Sequence, residues 1–128
     1  MSKQLISSGT SWENKYNYSR AVKAGNMIFL SGTTAVDEQG SIVGQYQPYE
    51  QAIFIFQKIE RALLHADAAL HHVVRVRAFV TNAAYINEVA EAHGAVFKNI
   101  CPALTIVVVS ALIHQELLVE IEADAVID

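Results

Sequence analysis

An α+β fold, a six-stranded mixed sheet with two helices on one face, is predicted by three features of this 128-residue chain. The last strand alternates strictly: Val119, Ile121, Ala123 and Ala125 fall on one sheet face, and Leu118, Glu120, Glu122 and Asp124 on the other. Two separate stretches, 49–66 and 86–100, instead repeat their apolar residues at three and four, as helices do. The remaining apolar runs are short and bounded by turn residues, so the order is β-β-β-α-β-α-β-β, without repeats, linkers or low-complexity segments.

Lys3 to Ser8 reads as a short strand, followed by a Gly-Ser-Asn-rich connection to Tyr16. Tyr18 to Lys23 and Met27 to Val36 form two strands joined by Ala24-Gly25-Asn26, a hairpin signal because Gly and Asn tolerate positive φ. Asp37-Glu38-Gln39-Gly40 ends the second of them as a turn. Pro48 stands where a helix start accepts it, and Ala52, Ile55, Phe56, Ile59 and Leu63 form the helix stripe, with Gln57, Lys58, Glu60 and Arg61 on the far side. Val73 to Thr81 returns to strand. Thr81 or Asn82 can cap a second helix with Ile86, Val89, Ala90, His93, Phe97 and Ile100 as its stripe, which must stop before Pro102. Leu104 to Ala111 and Leu117 to Ile127 are the last two strands.

Two helices cover one face of such a sheet, so the other meets solvent or another subunit. Alternation along 73–81 groups Val74, Val76, Ala78 and Val80, with Arg75, Arg77 and Phe79 opposite. Arg75 and Arg77 are the natural partners for Glu120 and Glu122, within the sheet or across an interface. Exposed cross-strand pairs contribute about 0.2–1 kcal/mol, so these would act on register and assembly more than on stability.

Hydrophobic residues make up 52% of the chain and charged residues 17%, too few to cover a monomer of this size generously, which points to apolar surface shared with another subunit. A net charge of −4 with nine Lys and Arg supplies no basic field for nucleic acid. The single Cys101 allows no internal disulfide or Cys-based zinc site and suits a reducing compartment, with the cytoplasm as the expected location. No segment reads as a signal-peptide core or a membrane span.

Gly25-Asn26-Met27-Ile28-Phe29-Leu30-Ser31-Gly32, Val74 to Val80, Pro102-Ala103 and Val119-Glu120-Ile121-Glu122-Ala123 together resemble the RidA (YjgF/YER057c/UK114) family in content, order and spacing. The resemblance runs over nearly the whole chain from Tyr18 onward. It implies a chorismate-mutase-like fold and a homotrimer with three clefts between subunits. For the family's best-understood members it also implies hydrolysis of reactive enamines and imines to ketoacids and ammonia. By the same resemblance Tyr18, Ser31, Gly32 and Glu122 take the places of the pocket tyrosine, the serine-glycine pair and the glutamate, with Thr105 lining the same strand.

The departure from that pattern is Leu104. Active deaminases of the family carry an arginine after Pro-Ala, whose planar fork grips the substrate carboxylate, and a leucine cannot make that contact. Ile106, on the same strand face, takes a position where the family often has cysteine. Arg20, two residues from Tyr18 on an expected strand, is the first candidate for a replacement cation and Arg77 the second, although Arg20 reads more simply as a solvated or interfacial charge.

Two roles are open to Glu122: orienting or deprotonating the attacking water, or an interface salt bridge to Arg75 or Arg77. Tyr18 reads as packing plus one hydrogen bond. Cys101 has no adjacent base and reads as a small buried or interfacial residue, and His93 as a satisfied core or interface histidine. His65, His71, His72 and His114 lack metal spacing, so neither metal nor cofactor is expected. Ser31-Gly32-Thr33-Thr34 lacks the lysine and spacing of a phosphate loop and reads as a strand end lining a cleft. Three functions follow: an imine or enamine hydrolase shifted away from the usual carboxylate substrates, a non-catalytic small-molecule-binding or regulatory trimer, and, remotely, an endoribonuclease.

Overall fold

The computed structural model describes residues 2–128. Six strands form one sheet in the order β1-β2-β3-β6-β4-β5: β1 (Lys3–Ile6), β2 (Ala21–Ala24), β3 (Met27–Thr34), β4 (Val73–Val80), β5 (Ala103–Val108) and β6 (Val119–Val126). All pairings are antiparallel except β4 with β5, so the sheet is mixed, as expected. The β2–β3 turn closes through Gly25 at φ 63°, a backbone state that costs glycine nothing.

Helices α2 (Pro48–His65) and α3 (Ile86–Val96) bury their stripes against the odd-numbered residues of β6 and against Ile28, Leu30, Val76, Ala78 and Val80. Phe56 anchors this layer, edge-on to Phe97 at 5.3 Å and to His93 at 5.9 Å. His93 is buried with its Nε2 unpartnered among the described residues, and burial lowers its pKa, so it is a core histidine without the expected hydrogen bond. No helix of the described residues is long and apolar enough to cross a membrane.

Three local expectations change. The connection before Tyr16 contains a third helix, α1 (Ser11–Tyr16), capped by Thr10, whose hydroxyl accepts the Glu13 N–H, and closed by Asn17 at φ 60°. The signal was Thr10-x-x-Glu13, a helix-start pattern. Tyr18 therefore precedes β2 and does not lie in it. On β4 the register slips between Val73 and Arg75, so Val73 joins Val76, Ala78 and Val80 in the core and Val74 turns out, 48% exposed. One extra residue in a strand inverts the alternation on its far side. Finally, α3 ends at Val96, short of Ile100, because the chain turns through Asn99 and Cys101 at positive φ before Pro102.

Candidate functional site

Where β3 ends and β6 begins, α1, the loop after β3 and the loop before β6 enclose a cleft of about 690 Å³. Its charged lining includes Arg20, Glu120, Lys58 and Asp37, beside Tyr18, Gly32 and His114.

Glu13, 3% exposed, is the post on which this wall is built. Its carboxylate accepts hydrogen bonds from the Ser7 hydroxyl at 3.0 Å, the Ser8 N–H at 3.1 Å and the Thr10 hydroxyl at 3.0 Å, as well as from the Ser8 hydroxyl. Burial pushes its pKa up, but the donors from Ser8, Ser7 and Thr10 together outweigh it and hold the group below its ordinary value. Arg20 lies beside it, Nε to Oε2 at 3.6 Å. The Arg20 Nη1 donates to the Gly32 carbonyl at 2.7 Å and the Thr33 hydroxyl at 2.8 Å, and its guanidinium carbon stands 5.7 Å from the centre of the Tyr18 ring. Arg20 is thus a buried, structured cation.

Gly32 falls in the irregular stretch of β3 between Leu30 and Thr33. A Cβ at this position would overlap the Glu120 Oε2 and meet its Cδ at 3.1 Å, so the missing side chain is what seats the carboxylate against the strand. Burial raises the Glu120 pKa, the neighbouring Glu122 adds to the rise, and Arg20 partly offsets it. A half-desolvated carboxylate in an open cleft is a better proton acceptor than an exposed one. The variant Gly32→Ala should therefore swing the Glu120 carboxylate out of its seat. The obstructing atoms belong to a side chain that can rotate, so the fold should lose less than about 2 kcal/mol. A crystal structure and a thermal melt of the variant check both halves.

The expected site residues separate into three places. Tyr18, Arg20 and Gly32 wall the cleft, but the carboxylate they share it with is Glu120. Glu122, expected there, pairs with the Arg77 Nη1 at 3.3 Å on the sheet face away from the helices, and Asp124 meets the same nitrogen at 3.5 Å. Arg77 is thereby engaged by its own sheet, Arg75 makes no ion pair among the described residues, and Glu120 pairs with neither. The register of β6 sets this: Arg77 of β4 stands opposite Glu122 and Phe79 opposite Glu120, while on the β3 side Ser31 and Gly32 stand opposite Glu122 and the strand end that opens on the cleft lies beside Glu120. Ser31 is tied down, its hydroxyl donating to the Ser19 carbonyl at 2.7 Å.

Leu104, Thr105 and Ile106 occupy the third place, the edge strand β5. In register, Leu104 and Ile106 share the helix-side face with Val76 and Ala78, while Glu120 stands opposite Phe79 on the other face. Two strand spacings, about 10 Å, also separate β5 from β6. Among the described residues, Leu104 does not line the cleft that Glu120 lines. Other reactive residues stay apart: Cys101 is exposed, and the His71 and His72 rings lie against each other, centroids 4.0 Å apart and planes tilted by 40°. Lys58, expected on the far side of its helix, instead turns to the end of the sheet and donates to the Thr34 carbonyl at 2.8 Å and the Val36 carbonyl at 3.0 Å. Its position one turn from Phe54 and Arg61 gave no sign of this, since the acceptors come from a distant loop.

Residues 10–127 match the family model described as Endoribonuclease L-PSP, the YjgF or RidA family. The chain belongs to the RidA family. A solved structure described as Rv2704, a member of the YjgF/YER057c/UK114 family from Mycobacterium tuberculosis, is 39% identical, with a TM-score of 0.88 over 98% of this chain and all of that one. An uncharacterised protein of Streptomyces coelicolor is 30% identical over 120 residues, 94% of this chain and 89% of its own length. A RutC family protein of Pyrococcus abyssi is 31% identical over 108 residues, 84% of either chain. The six-stranded mixed sheet and its helices are thus the RidA-family fold.

Proposed function

We propose that this RidA-family chain works as a homotrimer whose clefts, completed by the β5 edge of a neighbouring copy, bind and hydrolyse a small imine or enamine lacking a carboxylate beside its reactive carbon. The observation that carries it is the division of the site. Glu120, seated by Gly32 with Tyr18 and Arg20, lies in an open cleft, and the strand bearing Leu104 lies at the sheet edge on the opposite face. Leu104, Val107 and Val108 are 39%, 42% and 50% exposed on that edge, an apolar strand with unpaired backbone groups that favours covering by another chain.

In this reading the substrate reacts as its protonated iminium: Glu120 takes a proton from water as the water oxygen bonds to the carbon and the C=N π pair moves to nitrogen, giving the carbinolamine. The Glu120 carboxyl then returns that proton to the nitrogen, and the C–N bond breaks to release ammonia as the carbinolamine O–H bonding pair becomes the carbonyl and its proton passes to the Glu120 carboxylate. Leu104 contributes an apolar wall where a carboxylate clamp would stand. The −4 charge of the chain weighs against RNA as substrate.

Ketoacid release from 2-iminopropanoate tests this. The protein should accelerate it weakly or not at all, and Leu104→Arg should raise the rate roughly ten- to a hundredfold, the worth of one charge-assisted contact. Activity already equal to that of an arginine-bearing relative would overturn the weight placed on Leu104. A well-folded Leu104→Arg without any gain would favour the non-catalytic binding trimer, and a stable monomer in light scattering would remove the shared cleft.

A further inference from the structure

Behind the cleft, between the exit of β1, helix α2 and the loop after β3, lies a second cavity of about 220 Å³. Arg20, Lys58 and Asp37 are among the residues that line both spaces, so the two adjoin. Its floor is apolar, formed by Ile6, Phe54 and Ala62, while Lys58, Arg61 and His65 reach it from α2 at helical spacing.

The charges here are unevenly satisfied. Glu13 is saturated by hydroxyl and amide donors, Asp37 accepts from its own turn at the Gln39 and Ser41 N–H groups, and Glu38 pairs with Arg61 at the exposed rim. Among the described residues no carboxylate lies within ion-pair distance of the Lys58 ammonium, and the Arg20 Nε, in a residue 8% exposed, has no hydrogen-bond partner. Burial, then the Arg20 and Arg61 charges, lower the Lys58 pKa to about 8, while Glu13 and Asp37 act the other way. Two carbonyl acceptors hold the amine as a donor, which leaves its third N–H free.

We infer that this cavity is an anion subsite of the cleft, taking a carboxylate on a short apolar chain, with Lys58 and Arg20 as the recognising cations and Arg61 at the rim. It rests on the proposed function in making the ligand of that cleft one whose anionic group lies away from its reactive carbon, a position the Leu104 wall leaves open. An anion there relieves the repulsion among the three cations and replaces solvation that burial has removed from Lys58.

Calorimetric titration with butyrate, against uncharged butyramide, tests the subsite, with the Lys58 amine followed by NMR of Cε-labelled lysine. Butyrate should bind and raise the Lys58 pKa, and butyramide should bind about tenfold or more weaker. Affinity should fall as pH rises past about 8, where Lys58 loses its proton among the facing Arg20, Arg61, His65, Glu13, Asp37 and Glu38. Lys58→Met should weaken butyrate by about tenfold or more, and Lys58→Arg should retain it, which separates lost recognition from lost folding. Equal binding of butyrate and butyramide, or unchanged affinity in a folded Lys58→Met, overturns the inference. Glu120→Gln should keep butyrate binding while losing turnover. Butyrate bound through Lys58 in a protein that hydrolyses no imine would uphold the subsite and refute the catalytic reading.

Discussion

Glu120→Gln is expected to reduce imine hydrolysis by about 10²–10⁴-fold, the usual contribution of a positioned general base, and at the same time to make the fold more stable at neutral pH. The two effects have one cause. Burial, with Glu122 alongside, raises the folded pKa above the ordinary 4.5, so between that value and the folded pKa the native state binds more protons than the unfolded chain. Stability then declines as pH rises through the window and the whole decrement is present above it. Glutamine carries no such charge. Melting temperatures of wild type and variant should therefore coincide near about pH 4 and diverge in favour of the variant by about pH 7. A variant less stable than wild type at neutral pH would mean that the attraction of Arg20 outweighs desolvation, and would leave Glu120 without the character of a functional carboxylate.

Gln51→Leu should lower the unfolding free energy by about 2–3 kcal/mol, although leucine is apolar, similar in size and enters a fully buried site. The Gln51 Oε1 accepts the Leu118 N–H at 2.9 Å, and its Nε2 donates to the Glu116 carbonyl at 3.0 Å and the Gly44 carbonyl at 3.3 Å. Leucine leaves these backbone groups unpaired, Leu118 most severely because that bond is buried. The same amide ties helix α2 to the two loops that carry Gly40, His114 and Leu117 to the cleft, so the substitution should also loosen the site. Urea denaturation gives the stability, and hydrogen exchange at the Leu118 amide reports the loosening. A loss below about 0.5 kcal/mol with unchanged exchange would show that water replaces the clamp at no cost.

Much of the fold was legible because the informative patterns are local. The alternation of Val119 to Ala125 places that strand on the helices by itself, and the stripe from Ala52 to Leu63 does the same for α2. Two of the differences fell where one residue changes a periodic pattern, at Val74 on β4 and at Gly32 on β3, since such slips are set by the partner strand. The pairing of β6 with its two neighbours matters most for function. Arg77 of β4 stands opposite Glu122 and Phe79 opposite Glu120, while the end of β3 that opens on the cleft lies beside Glu120, and no pattern within 118–125 distinguishes two carboxylates on one face.

What the sequence determined by itself is the family and the sheet with its two covering helices, because both are statements about residue type and spacing along the chain. Tertiary structure decided which groups meet. Glu13 comes to Arg20, Lys58 to the Thr34 and Val36 carbonyls where β3 ends, and Glu120 to the gap left by Gly32. It also set Leu104 on an edge beyond their reach. These encounters join segments far apart in sequence, and their energies depend on burial and donor geometry, quantities that exist only once the chain has closed on itself.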